Sequence, residues 1–64
     1  MALHLRAARI NAGFTQEEVA ETLGKSKNTI VGYETYKRVP DVKTAQRMAA
    51  LYGMSIDDII FFVE

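Results

Sequence analysis

Apolar residues recur every three or four positions along most of the chain, the spacing of helices that bury one face. No segment alternates apolar and polar residues as a half-buried strand does. The pattern predicts a compact all-α fold of five short helices, at residues 3–12, 16–23, 27–35, 42–53 and 56–62. The residues predicted to form the core are Leu5, Ala8, Ala12, Val19, Ala20, Leu23, Ile30, Tyr33, Val42, Ala45, Met48, Ala49, Tyr52, Met54, Ile56, Ile59 and Ile60.

Capping residues mark where these helices begin and end. Thr15, with Glu18 three residues later, has the spacing of a capping box, and Gly24 can supply the left-handed residue that closes helix two. Ser26 and Asp41 stand where helices three and four need N-caps. The connections are only a few residues long, so the helices are expected to pack as one domain over residues 1–64.

Composition narrows the class of protein further. The chain has 64 residues, no cysteine and one histidine, which excludes disulfides and thiolate metal sites and predicts no cofactor. A hydrophobic fraction of 48% with 25% charged residues is typical of a globular protein. There is no apolar run of membrane-spanning length and no signal-peptide pattern, so a cytoplasmic protein is expected. No nucleophile–base pair or glycine-rich phosphate loop indicates an enzyme.

The net charge is zero, but the charges are unevenly distributed. Residues 25–38 contain four basic side chains and one carboxylate, a net +3, between two mildly acidic segments. In the same stretch, only three residues separate helix two from helix three, and Lys27, Asn28 and Thr29 begin the latter. A helix fits the major groove of DNA, where asparagine can pair with adenine and lysine with guanine. The segment therefore predicts a helix-turn-helix that reads double-stranded DNA.

The residues from Thr15 to Tyr33 resemble the helix-turn-helix of the phage-repressor and Cro-like (XRE) family of transcriptional regulators. The shared pattern includes Gln16 opening helix two, Ala20 at the helix crossing and Gly24 in the turn. The resemblance extends to LRAAR in helix one and GMSIDDI near the C-terminus. It implies a lambda-repressor-like five-helix DNA-binding domain, with the helix-turn-helix at residues 15–35.

The resemblance also implies roles for individual residues. The residues placed to read bases are Lys27, Asn28, Val31 and Gly32, of which Val31 is suited to a thymine methyl and Gly32 to close approach. The residues placed to bind phosphates are Gln16, Ser26, Thr29, Lys37 and Arg38. Arg9 and Glu34 occupy positions that imply an ion pair between helices one and three. Tyr36 stands where the family commonly has glycine, so either the loop differs or Tyr36 takes an unusual conformation.

The last residues are too apolar for a free tail. Ile60, Phe61, Phe62 and Val63 form an apolar cluster of the kind that usually marks a contact surface. In the family the fifth helix often builds a twofold dimer, so residues 55–64 are expected to form a homodimer interface. Such a dimer would read a near-palindromic operator with half-sites about 34–36 Å apart.

Two functions remain open from the sequence. The first is a dimeric, sequence-specific repressor that occupies an operator, with no small-molecule substrate and no membrane partner. The second is a protein-interaction module of the same fold, such as an antitoxin or immunity regulator controlled by a partner protein. The salt dependence of DNA binding distinguishes them, because phosphate contacts release counterions.

Overall fold

A computed structural model describes residues 1–64. The chain is mostly helical, with four α-helices, a single 3₁₀ turn at Ile56–Asp58 and two very short strands. The remaining elements are β1 (Leu3–His4), α1 (Leu5–Ala12), α2 (Gln16–Leu23), α3 (Lys27–Glu34), α4 (Val42–Tyr52) and β2 (Ile59–Ile60). None of the helices has the length and apolar character needed to cross a bilayer.

Local capping explains the bounds of α2, α3 and α4. The Glu18 N–H donates to Thr15 Oγ1 (3.1 Å), and the Thr15 N–H donates to the Glu18 carboxylate (2.9 Å), which completes the predicted capping box. Ser26 accepts from the N–H of residue 29 (3.2 Å), and Asp41 accepts from that of residue 44 (2.8 Å). These bonds satisfy donors that a helix N-terminus leaves free, so the sequence prediction of these three starts is confirmed.

The predicted fifth helix is wrong. After the turn at Ile56–Asp58 the chain extends, and β2 pairs in parallel with β1, with Leu3 opposite Ile59 and His4 opposite Ile60. Helix one accordingly begins at Leu5 and not at residue 3. The β-branched and aromatic residues of this segment favour extended backbone, and the free peptide groups of β1 offer them partners that local spacing could not reveal.

The core lies between the four helices, and Leu5, Val19, Ile30 and Met48 are its largest fully buried side chains. Most of the predicted core residues are buried. Val42 is an exception at 70% exposed, because it lies in the first turn of α4 on the side away from the other helices. The predicted core residues that are only partly buried are Ala12, Met54, Ile56 and Ile60.

Tyr36 connects the end of α3 to the two strands. Its φ of 62° is left-handed, so the unusual conformation is the alternative that the structure adopts. It occupies the position where glycine usually ends a helix, and the next N–H, of Lys37, donates to the Gly32 carbonyl (3.0 Å). Its hydroxyl donates to the Ile60 carbonyl (3.3 Å) and forms a hydrogen bond with His4 Nδ1.

Removal of this hydroxyl is expected to loosen the strands. Tyr36→Phe should lower the free energy of unfolding by about 0.5–1.5 kcal/mol, the usual net value of such hydrogen bonds. Urea unfolding followed by circular dichroism measures the loss. Tyr33→Phe is the matched control, because the Tyr33 hydroxyl makes no hydrogen bond within the chain. Equal stability of Tyr36→Phe and the wild type would show that the hydroxyl does not hold the strands.

Candidate nucleic-acid interface

The turn between α2 and α3 holds the two helices at a fixed angle. Gly24 has a φ of 67°, a conformation that costs glycine little, and the Lys25 N–H donates back to the Ala20 carbonyl (2.9 Å). The small Ala20 side chain is buried where the helices meet, and Leu23 and Ile30 pack beneath it in the core. Because the turn is hydrogen bonded and the core is closed, α3 projects as a rigid element.

The N-terminal end of α3 presents polar side chains to solvent. Ser26, Lys27 and Asn28 are exposed, and Val31 is half-buried on the next turn. Asparagine and lysine side chains in this position can each reach a base edge, while a half-buried valine offers only a methyl surface. Three of the four residues predicted to read bases are therefore accessible.

Gly32 is placed differently from the prediction. It is buried, because the side chain of Arg38 lies over it. A Cβ at this position would stand 2.8 Å from Arg38 Cδ, closer than real side chains allow. The absence of a side chain at Gly32 therefore makes room for an arginine of the same chain and leaves no open surface for a base.

Three of the five residues predicted to bind phosphates form one hydrogen-bonded group. Arg38 Nη1 donates to Thr29 Oγ1 (3.2 Å), and Thr29 Oγ1 lies 2.9 Å from Ser26 Oγ. Lys37, next to Arg38, is exposed. The group brings a loop residue to the first turn of α3, so the basic loop and the helix present one continuous surface.

Lys27 has a carboxylate neighbour that sequence reasoning treated as part of a solvated face. Its Nζ lies 3.1 Å from Glu17 Oε2, and both side chains are more than half exposed. A hydrogen bond from its own backbone and then the Lys27 ammonium lower the pKa of Glu17. Exposed pairs of this kind contribute little to stability, so Lys27 can leave Glu17 for another acceptor at small cost.

A buried ion pair joins the helices behind this surface. Arg9 Nε donates to Glu34 Oε2 (2.6 Å) and Arg9 Nη2 to Glu34 Oε1 (3.2 Å), so the contact is bidentate. The Glu34 hydrogen bond raises the pKa of Arg9. Arg9 Nη1 also donates to the Phe14 carbonyl (2.8 Å), which fixes the turn between α1 and α2. The Arg9–Glu34 pair inferred from the resemblance is present.

Gln16 belongs to the same buried cluster. Its Nε2 donates to Glu34 Oε1 (3.0 Å), and the residue is half-buried at the start of α2. The sequence placed Gln16 on a DNA phosphate, yet in the structure one of its amide donors is already used inside the protein. The cluster therefore links α1, α2 and α3 through three side chains.

The residues predicted to form a dimer differ in exposure. Ile60 and Phe61 are half-buried, and Ile60 belongs to β2. Phe62 is 60% exposed and Val63 is 54% exposed, although both are apolar. No group of three or more side chains able to ligate a metal comes together anywhere in the chain.

The fold and this surface define a helix-turn-helix protein, and comparisons with known proteins agree. The family model described as helix-turn-helix matches residues 5–59, and the chain belongs to this family, the XRE type. The chain is 34% identical over 88% of its length to the transcriptional repressor RstR of the cryptic phage CTXphi from Vibrio cholerae, covering 50% of that protein.

Two further relatives are similar. The transcriptional regulator ImmR from Bacillus subtilis is 39% identical over 88% of the chain and 44% of ImmR. An uncharacterized HTH-type transcriptional regulator from Methanocaldococcus jannaschii is 36% identical over 91% of the chain and 88% of the relative. The chain thus spans about half the length of RstR and ImmR but nearly all of the archaeal protein. No solved structure matches the chain.

Proposed function

We propose that the protein is a sequence-specific, double-stranded DNA-binding regulator that represses transcription in the cytoplasm by occupying an operator. The observation that carries this proposal is the rigid, capped N-terminus of α3, where Lys27 and Asn28 are exposed side by side. A helix held at this angle can enter the major groove, in which each base pair presents a distinct set of donors and acceptors.

The surrounding residues support the same proposal. Ser26, Thr29 and Lys37 offer hydrogen-bond donors around the exposed end of α3, and donors are what phosphate oxygens require. Val31 offers a methyl surface to thymine. Selection of bound sequences from random duplex DNA tests the proposal directly. An absence of enrichment at low salt would contradict it.

Two substitutions separate base reading from phosphate binding. Asn28→Ala should lower affinity for the preferred site by about 1–3 kcal/mol and relax the preference at one base pair, because a bidentate contact to adenine is lost. Lys37→Ala should weaken binding to all sequences alike and make the log–log salt slope shallower by about 0.9, the value for one phosphate contact. Fluorescence anisotropy at several salt concentrations measures both. Unchanged affinity and preference in both variants would contradict these assignments.

We also propose that two copies bind together. Phe62 and Val63 are exposed apolar side chains that follow β2, next to the half-buried Phe61. Exposed apolar surface of this kind is favourable to cover, and a twofold pair would present two α3 helices to a near-palindromic operator. The half-sites would lie about 34–36 Å apart, one turn of the DNA helix.

Charge introduced at this surface should separate the two copies. Phe61→Asp with Phe62→Asp is expected to give a monomer in sedimentation equilibrium, because burial of two carboxylates in an apolar contact is unfavourable. Val42→Asp is the matched control, since Val42 is equally exposed and apolar but lies on α4. A dimer of unchanged mass in the first variant would place the interface elsewhere.

A further inference from the structure

Arg38 lies across α3 in a way that depends on Gly32. A Cβ at Gly32 would stand 2.8 Å from Arg38 Cδ and 3.0 Å from Arg38 Cγ, so only glycine leaves room for the arginine stem. The backbone is anchored at the same residue, since the N–H groups of Lys37 and Arg38 donate to the Gly32 carbonyl (3.0 and 3.2 Å). The loop is thus held against the second turn of the helix.

The guanidinium of Arg38 is oriented at its far end as well. Its Nη1 donates to Thr29 Oγ1 (3.2 Å), and Thr29 is in turn hydrogen bonded to Ser26. Because the stem rests on Gly32 and the tip is bonded to Thr29, the side chain is held at two points along α3. The residue nevertheless remains exposed, so its other donors are accessible.

The position of the guanidinium coincides with the base-reading face. Gly32 and Asn28 are four residues apart and therefore lie on the same face of α3. That face has no side chain of its own at Gly32, and Arg38 covers the gap. A guanidinium presents five N–H donors in a planar fork that matches O6 and N7 of guanine, and only one of them is used on Thr29.

We propose that Arg38 reads a guanine in the major groove from across Gly32, and so determines sequence specificity where a phosphate contact was expected. This inference rests on the proposed function. A phosphate contact would require only a cation near the backbone, whereas the seat on Gly32 and the bond to Thr29 hold the fork in one orientation. Lys37, which is exposed beside it, serves as the comparison.

The first test replaces the arginine. Once selection has defined the preferred site, Arg38→Ala should bind it roughly 5- to 150-fold more weakly, the range for one bidentate base contact. Its affinity for sites changed at one guanine of each half-site should stay at the wild-type level. Equal weakening on all sequences, with a salt slope shallower by about 0.9, would identify a phosphate contact and overturn the inference.

The second test uses Gly32→Ala, whose added methyl displaces the arginine stem while alanine favours the helix. This variant should lose the same guanine preference without loss of thermal stability. In the double variant with Arg38→Ala, Gly32→Ala should have no further effect on preference, because it acts through Arg38. Retained preference in Gly32→Ala would overturn the inference alone, whereas wild-type protein that binds no duplex DNA would overturn the proposed function together with it.

Discussion

Glu34→Ala is expected to cost about 3–5 kcal/mol of stability, because it leaves the Arg9 guanidinium buried without its partner. The side chain of Glu34 is 2% exposed and that of Arg9 is 10% exposed, so water cannot replace the lost carboxylate without opening the fold. A core of this size rarely supplies more than about 3–5 kcal/mol in total. The variant should therefore be largely unfolded at room temperature, as circular dichroism and urea titration would show.

Two further variants show which part of the contact matters. Glu34→Gln keeps the shape and one acceptor, so its loss should be smaller than that of the alanine variant. Arg9→Met with Glu34→Leu removes both charges, and such a replacement is often neutral or stabilising. A Glu34→Ala protein as stable as the double variant would show that the uncompensated charge is not the cause.

Ile30→Ala is expected to lower the free energy of unfolding by about 2–5 kcal/mol, the range for a large aliphatic side chain removed from a core. Ile30 is 0% exposed and lies on the inner face of α3, beneath the exposed Lys27 and Asn28. The cavity would loosen the helix that carries these residues. Urea unfolding measures the stability, and DNA affinity at a temperature where the variant is folded measures the orientation of α3.

Val42→Ala is the matched control for this prediction. The apolar pattern placed Val42 in the core together with Ile30, but Val42 is 70% exposed. Its replacement should change stability by no more than about 0.5 kcal/mol, as for most surface positions. Similar losses in the two variants would mean that Val42 is buried in solution, for instance in an assembly of several copies.

The helices could be predicted from the sequence because they depend on neighbours along the chain. The capping box joins Thr15 to Glu18, and the α2–α3 turn needs only Gly24 and Ser26. The exposed base-facing residues follow from the start of α3 by counting. The partner of Arg9 did not follow from any spacing, since Glu34 is 25 residues away, and it was inferred through the resemblance alone.

The strands and the setting of Arg38 could not be predicted in this way. The segment after Ser55 has a cap and apolar residues that suit a helix, yet its peptide groups pair with those of Leu3 and His4, more than 50 residues earlier. Gly32 is buried by a side chain from a loop whose path depends on the left-handed Tyr36. Neither contact leaves a periodic signal.

The sequence by itself determined four capped helices and the polar end of α3, since hydrogen bonds within one helical turn and apolar spacing are local properties. The tertiary structure decided that the C-terminal segment is extended, that Gln16 faces Glu34 and that Arg38 rests on Gly32. These arrangements depend on which groups meet in space once the helices have packed. A backbone or side-chain group then takes the partner that is close in the fold, however distant that partner is along the chain.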